Sequence, residues 1–210
     1  MSIVKLQKIL FNELTKVENI LDDINDEYVN IKIENCKEES IELSEVRIEK
    51  SIISNAEIIK SNLEKNTFMD VEFNNCNFSN TSFERCTFIR CEFNNCKMTG
   101  CNLIESRLYN VSFIESNVNY SNFAMASIEN VIFENSGLRN ACFQENKLKN
   151  LFFKQTDLTS AQFFKTSLKD LDLSDSIIEG IAVSIEDIKG ATINQFQAVD
   201  LLYLIGVKIK

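Results

Sequence analysis

From Leu43 onward the chain repeats with a period of five. Leu43, Ile48, Ile53, Ile58, Leu63, Phe68, Phe73 and every fifth residue on to Ile193 are bulky and apolar, 31 positions without exception. Against an overall apolar fraction of 44%, such a run would arise by chance at about 10⁻¹¹, so the count settles the period. Twelve of the 16 Phe lie in this row. Two residues before each bulky position stands Cys, Ala, Ser, Thr or Val in 24 of 31 units, as at Cys76, Thr81, Cys86 and Cys91. Each unit therefore reads small–x–bulky–x–x, from about Ile41 to Gln195.

Neither regular element accommodates this period. Five residues turn an α-helix by about 500°, which scatters the bulky row around the axis. On a straight strand, residues five apart face opposite sides. The small and bulky positions are two apart, so a short extended segment points both the same way. The chain must then turn, so that the next pair also points inward. A coil of short extended sides and tight corners meets this demand, and stacked coils at about 4.8 Å bury one apolar column. Val or Leu occupies the small position at Val46, Val71, Val111, Val131, Leu151 and Leu171. Sorted by a 20-residue period, five of these six fall in one class, which favours four sides over three. Asn often ends the unit, as at Asn55, Asn75, Asn80, Asn95, Asn110 and Asn150, and Asn tolerates the positive φ of a tight corner.

The two ends differ from this body. Ile3, Leu6, Leu10, Leu14, Val17, Leu21 and Ile24 are spaced as on an amphipathic helix across 2–25, either a cap on the first coil or a helix that pairs with another chain. Residues 26–40 are polar, and Glu38 stands where a bulky residue belongs, which points to a loop or an irregular first coil. At the other end a helix is expected at about 195–205, with Gly206 as its C-cap and a short strand over 207–209. That helix is apolar on more than one side, which implies a partner. The expected organisation is an N-terminal helix in 1–30, a β-helix over 31–194 and a dimerising helix and strand in 195–210.

Composition narrows the function. The net charge is −9, which disfavours a nucleic-acid binder and an anionic membrane surface. No apolar run reaches the roughly 18 residues of a membrane span. Seven Cys without a secretory signal point to a reducing, cytoplasmic setting. Cys86, Cys91, Cys96 and Cys101 sit one on each side of a coil, too far apart to share a zinc ion with Zn–S bonds of about 2.3 Å, so no metal is expected. The chain has no His, no Gly-rich phosphate loop and no EF-hand spacing, so no catalysis and no cofactor are expected. One side of the coil carries Glu72, Glu92, Glu115, Glu134, Asp172 and Asp175 against Lys154, a net of −5, while the next three sides net 0, −3 and +2. Glu72 and Glu92 should be neighbours across coils, where like charges are destabilising.

These units closely resemble the pentapeptide-repeat family, which implies an all-β solenoid, a right-handed quadrilateral β-helix. The run Asp187-Ile188-Lys189-Gly190…Ile193-Asn194…Phe196-Gln197-Ala198…Gly206 resembles the C-terminus of the Qnr-type quinolone-resistance proteins. That resemblance implies a tail-to-tail homodimer, with Phe196, Val199, Leu201, Leu202 and Ile205 in the interface. Qnr-like and MfpA-like proteins are viewed as DNA mimics that bind DNA gyrase or topoisomerase IV and modulate quinolone sensitivity. The acidic side would be the matching surface here. Roughly seven to eight coils span about 35 Å, a length over which B-DNA carries about 20 charges, so a side at −5 is a sparse copy. The register does not slip between 43 and 193, so no loop projects of the kind several Qnr proteins use. The competing reading is a dimeric β-helix scaffold for some other protein.

Overall fold

The computed structural model describes residues 9–11, 13–17 and 26–207. The strands are β1 (Thr15–Val17), β2 (Glu27–Val29), β3 (Ile31–Glu34), β4 (Lys37–Glu39), β5 (Arg47–Ser54), β6 (Glu57–Ile59), β7 (Thr67–Asn74), β8 (Thr87–Ile89), β9 (Glu92–Asn94), β10 (Arg107–Ile114), β11 (Ser127–Glu134) and β12 (Lys147–Lys154). All pairings are parallel, and from β2 onward each residue pairs with the one 20 positions later, as in Ile53↔Phe73 and Phe113↔Phe133. Twenty residues per coil and five per unit give four sides, so the chain is a parallel β-solenoid of four-sided coils.

The sides are of two kinds. In the coil 66–85, the units 66–70 and 71–75 lie in one continuous strand, β7. The units 76–80 and 81–85 pair through single bridges and close with tight turns, in which Thr81 N donates to Phe78 O (3.0 Å) and Cys86 N to Phe83 O (3.1 Å). The bulky row fills the interior, where Phe93, Phe113, Phe123 and Phe133 are wholly buried. Rings one coil apart stack nearly parallel, Phe73 on Phe93 at 4.6 Å and Phe93 on Phe113 at 4.8 Å. Each such ring removes roughly 150–250 Å² from water, which makes this column the main stabilising element.

The corners carry the conformational cost. Every fifth residue from Asn30 to Asp170 has positive φ, 28 non-glycine residues plus Gly100. Asn55, Asn75, Asn80, Asn95, Asn110 and Asn150 are all among them, as the sequence led us to expect. The left-handed region costs other L-residues roughly 1 kcal/mol or more. Stacking holds the corners there: corner N–H groups donate to carbonyls of the coil above, as Asn75 N does to Asn94 O (2.9 Å) and Asn95 N to Ile114 O (2.9 Å).

The N-terminal expectations need correction. No helix runs through 15–17, which form β1 alongside β3 with a 16-residue offset, Thr15↔Ile31. Two β-branched residues flank Lys16 there, and as a strand they cover the edge of the first coil. Residues 1–8, 12 and 18–25, which carry the rest of the expected helix, lie outside the described residues. Residues 26–40 are not an irregular loop: β2, β3 and β4 already hold the coil register, with Glu38↔Ile58 in line. Buried Ile33 and Leu43 on either side keep the register through Glu38.

At the other end, α1 (Ile185–Ile188) is a single turn capped by Ser184, whose Oγ accepts from Asp187 N (3.0 Å). Glu186 would be the inward small residue of its unit, and a carboxylate cannot enter an apolar core without a partner; the helical turn carries it outward instead. The expected terminal helix is α2 (Gln197–Leu201), continued by a 3-10 turn over Leu202–Ile205 and closed by Gly206 at φ 73°. Val207 is not in a strand, and 208–210 lie outside the described residues.

Candidate functional site

Two surfaces stand out, the acidic side and the C-terminal end. On the side 71–75 and its equivalents, the first outward column runs Ile52, Glu72, Glu92, Ser112, Ile132, Phe152. Glu72 and Glu92 stand in register, beside Asn74 and Asn94, whose amides join at 3.0 Å. The adjoining corner is an amide ladder, Asn55 to Asn35 (3.3 Å), Asn75 to Asn55 (3.3 Å) and Asn95 to Asn75 (2.8 Å), and Glu115 takes the next rung at φ 51°. Higher up, Glu134 is ion-paired to Lys154 at 2.5 Å. Asp172 accepts from Ser174 N within its own turn (3.0 Å), and Asp175 lines a shallow hollow with Asn135, Gln155 and Asp157. The six carboxylates therefore form a lower group, Glu72, Glu92 and Glu115, and an upper group, Asp172 and Asp175. Ile132, Phe152 and the neutralised Glu134 lie between them.

The C-terminal end is built on Gln197. Its position follows from the repeat: where the small position holds a donor, that side chain reaches down to the carbonyl of the bulky residue 23 positions earlier, and at 196 that slot holds Phe. Phe196 cannot donate, and it turns out to solvent, 78% exposed. Gln197 enters instead, giving Nε2 bonds to Leu173 O (2.7 Å) and Ser176 O (2.6 Å), while its Oε1 accepts from Asn194 N (2.8 Å). Tyr203 donates its hydroxyl to Ile181 O. Together they satisfy carbonyls that a further coil would have covered. Leu201 and Leu204 pack on the core. Val199, 52% exposed, and Ile205, 66% exposed, stay in solvent with Phe196, and Leu202 is half-buried. Of the five residues named from sequence for an interface, Leu201 is thus occupied by its own core and the other four lie outside it.

Residues 66–136 match the family model described as the pentapeptide repeat region, and the five-residue unit and 20-residue coil extend on both sides of that segment. Residues 66–136 are thus a pentapeptide repeat region. Among solved structures it is similar to a trypsin-treated variant of QnrB1, a plasmid-mediated fluoroquinolone resistance protein, at 15% identity and TM-score 0.45, covering 88% of this chain and 99% of that one. It is also similar to HetL, a pentapeptide repeat protein involved in heterocyst differentiation regulation from the cyanobacterium Nostoc sp. strain PCC 7120, at 11% identity and TM-score 0.31, covering 79% and 86%. A third is a pentapeptide repeat protein from the Arabidopsis thaliana thylakoid lumen, at 15% identity and TM-score 0.26, covering 60% and 77%. No curated protein matches the chain. No residue role passes from these structures to this chain.

Within the pentapeptide-repeat body, the small position does more than fit. Cys86, Cys91, Cys96 and Cys101 donate to Leu63 O (2.8 Å), Phe68 O (3.3 Å), Phe73 O (3.3 Å) and Phe78 O (2.9 Å). Ser116, Ser136 and Thr156 do the same to Phe93 O, Phe113 O and Phe133 O. The preference for Cys, Ser and Thr is thus a preference for a compact donor, a role that size alone does not reveal. Burial pushes the Cys86, Cys91 and Cys101 thiols up to about 12, so they stay protonated donors. Cys142 sits one residue past the small position, half-buried and paired with Asn122 and Gln162. Among the described residues no cluster of three or more His, Cys, Asp or Glu could hold a metal, and no helix is long and apolar enough to cross a membrane.

Proposed function

We propose that the chain is a non-catalytic binding protein that pairs tail to tail through its C-terminal end and presents the sides of the resulting rod to a protein client. One observation carries this. Phe196, Val199 and Ile205 project from a cap whose other side chains, Gln197, Leu201 and Leu204, are spent on the chain's own core. Exposed apolar residues gathered in one terminal segment mark an association surface, and a two-fold pairing buries the same patch on both copies. Light scattering after gel filtration tests it. The wild-type protein should run as a dimer and Phe196→Asp/Ile205→Asp as a folded monomer; a monomeric wild type would remove the proposal.

The client we favour is a type II topoisomerase, DNA gyrase or topoisomerase IV, whose quinolone sensitivity the protein would modulate. The support is the register-stacked Glu72 and Glu92 with Glu115 on one side of a rod whose coils repeat at the strand spacing. A supercoiling assay with purified gyrase, with and without ciprofloxacin, tests this client. Inhibition or drug protection at micromolar protein is expected, and charge reversal at Glu72, Glu92 and Glu115 should abolish it. An inert wild type would leave the dimeric scaffold with a different client.

A further inference from the structure

We infer that the side formed by residues 121–125 and its neighbouring coils is a docking surface for a partner segment that carries an apolar anchor flanked by basic residues. Tyr120 and Met125 begin the case. Both are corner residues with positive φ, 61° and 58°. At the other non-glycine corners between Asn30 and Asp170 the chain uses Asn, Asp, Ser, Gln, Glu, Lys or Arg. Only these two are apolar or aromatic, they belong to successive units of one coil, and they bracket a single side. Tyr120 is 63% exposed and Met125 is 50% exposed. Neither contributes to the core, and Asn, the residue best suited to the left-handed region, stands at other corners of the Tyr120 column, as at Asn80 and Asn140.

The ground between and below them is level and partly apolar. Asn122 and Asn102 turn their side-chain oxygens back to their own backbone, accepting from Ala124 N (2.9 Å) and Ile104 N (3.1 Å), while the Asn102 amide reaches down to Ser82 Oγ (3.4 Å) and Glu84 Oε2 (3.3 Å). That leaves Ala124 and Ile104 stacked on the outer surface beside Met125. Gly100 stands one coil below Tyr120 in that column, and the Asn80 amide reaches up to it, its Oδ1 2.5 Å from where the glycine's Cβ would be.

Charge indicates the occupant. Along its corner Met125 lies between Glu105 one coil below and Glu145 one coil above, and their cations sit on the far sides, Arg85 to Glu105 at 2.8 Å and Lys165 to Glu145 at 2.8 Å. These surface pairs are weak. A partner's Lys or Arg can therefore exchange into either carboxylate at little cost while its apolar anchor lies on Met125, Ile104 and Ala124. Tyr is enriched among residues that dominate binding interfaces, and Met adapts to varied apolar shapes.

This inference rests only on the reading of the chain as a protein-binding rod, not on the identity of the topoisomerase client. A phage-displayed library of random 16-residue peptides is panned on the immobilised full-length protein and in parallel on Tyr120→Asn/Met125→Asn. Peptides enriched on the wild type should share a Leu, Phe or Met flanked by Lys or Arg. Synthetic versions should bind at least tenfold more weakly to the double variant and to Glu105→Lys/Glu145→Lys. The double variant should melt no lower than wild type, because Asn suits both corners, so lost binding would not reflect lost folding. Enrichment of acidic or motif-free peptides, or equal binding to wild type and variants, overturns the inference. So does concentration-dependent self-association that disappears in Tyr120→Asn/Met125→Asn, which would assign the patch to a second copy of the chain.

Discussion

The rod and its C-terminal cap solve one problem by different means. Inside the rod, the coil above supplies what each coil lacks: corner N–H groups find carbonyls at i+19, and Cys, Ser or Thr side chains cover carbonyls 23 residues back. At the cap the chain turns into a helix, and two side chains, Gln197 and Tyr203, take the place of the next coil. The rod spreads its stability over many equivalent contacts; the cap concentrates it in a few unlike ones. Repetition therefore makes the interior tolerant of polar losses and sensitive to volume, whereas the end should be sensitive to single hydrogen bonds.

The largest effect should come from the middle of the Phe column. Phe113 lies between Phe93 at 4.8 Å and Phe133 at 4.6 Å, so Phe113→Ala opens a cavity that neighbouring coils cannot close, and about 4 kcal/mol should be lost. Urea titration followed by circular dichroism reads this as one lowered transition. A second, separate transition would show that the coils on either side of Phe113 unfold independently.

Gln197→Leu should cost about 2 kcal/mol, because it strips bonds from the buried carbonyls of Leu173 and Ser176. The loss should be local. Hydrogen exchange should quicken at amides bonded to the last coil, such as Leu158, which donates to Ile177 O, and Leu168, which donates to Asp187 O, and stay unchanged at Phe78 and Phe83. Uniform quickening along the rod would remove the distinction between body and cap.

Much of the rod was legible because its interior follows a single rule. The bulky row and the Asn corners carried the period, and the Val and Leu residues at the small position favoured four sides over three. What remained hidden was whatever depends on relations between coils. The small row reads as a size preference, since Cys, Ser and Thr are small whether or not they donate. Gln197 stands one residue out of step, and Phe196 in the proper slot looks like one more apolar residue. On the acidic side, a sum of charges could not show that Ile132, Phe152 and the Glu134–Lys154 pair divide it. At the N-terminus, Thr15-Lys16-Val17 fits a helix-like spacing equally well, and only the open edge at Ile31–Ile33 decides for a strand.

Alkaline pH should separate the two regions more weakly. The Cys91 thiol, raised by burial to about 12 from an ordinary 9.0, binds its proton more tightly in the folded chain than in the unfolded one. Its contribution is fully present below pH 9 and is lost as pH rises from 9 toward 12. At pH 10 the loss should be on the order of 1 kcal/mol. The cap segment 194–207 contains no Cys, and its Tyr203 hydroxyl, also raised by burial from an ordinary 10.0, adds a decline only above pH 10, so the slope between pH 9 and 10 belongs to the rod. Cys91→Ala should lower stability at pH 7, through the lost bond to Phe68 O, yet flatten the decline above pH 9. An unchanged slope would mean that this thiol is not what makes the rod alkali-sensitive.

The smallest effect concerns how each region holds positive φ. Rod corners keep Lys, Arg or Glu in the left-handed region because the next coil binds their N–H, as Lys65 N is bound by Glu84 O at 2.9 Å. Gly206, at φ 73°, has only its own turn, donating to Tyr203 O at 3.0 Å. No atom lies within 4 Å of where its Cβ would be, so Gly206→Ala meets no clash and tests conformation alone. It should cost about 1 kcal/mol, seen as a small drop in melting temperature, and Gly206→Asn should cost less. Gly100→Ala adds a contact to the same backbone strain, since its Cβ would come within 2.5 Å of Asn80 Oδ1. It should cost more than Gly206→Ala unless the Asn80 amide swings clear, and equal losses would show that the rod's corner yields as easily as the cap's.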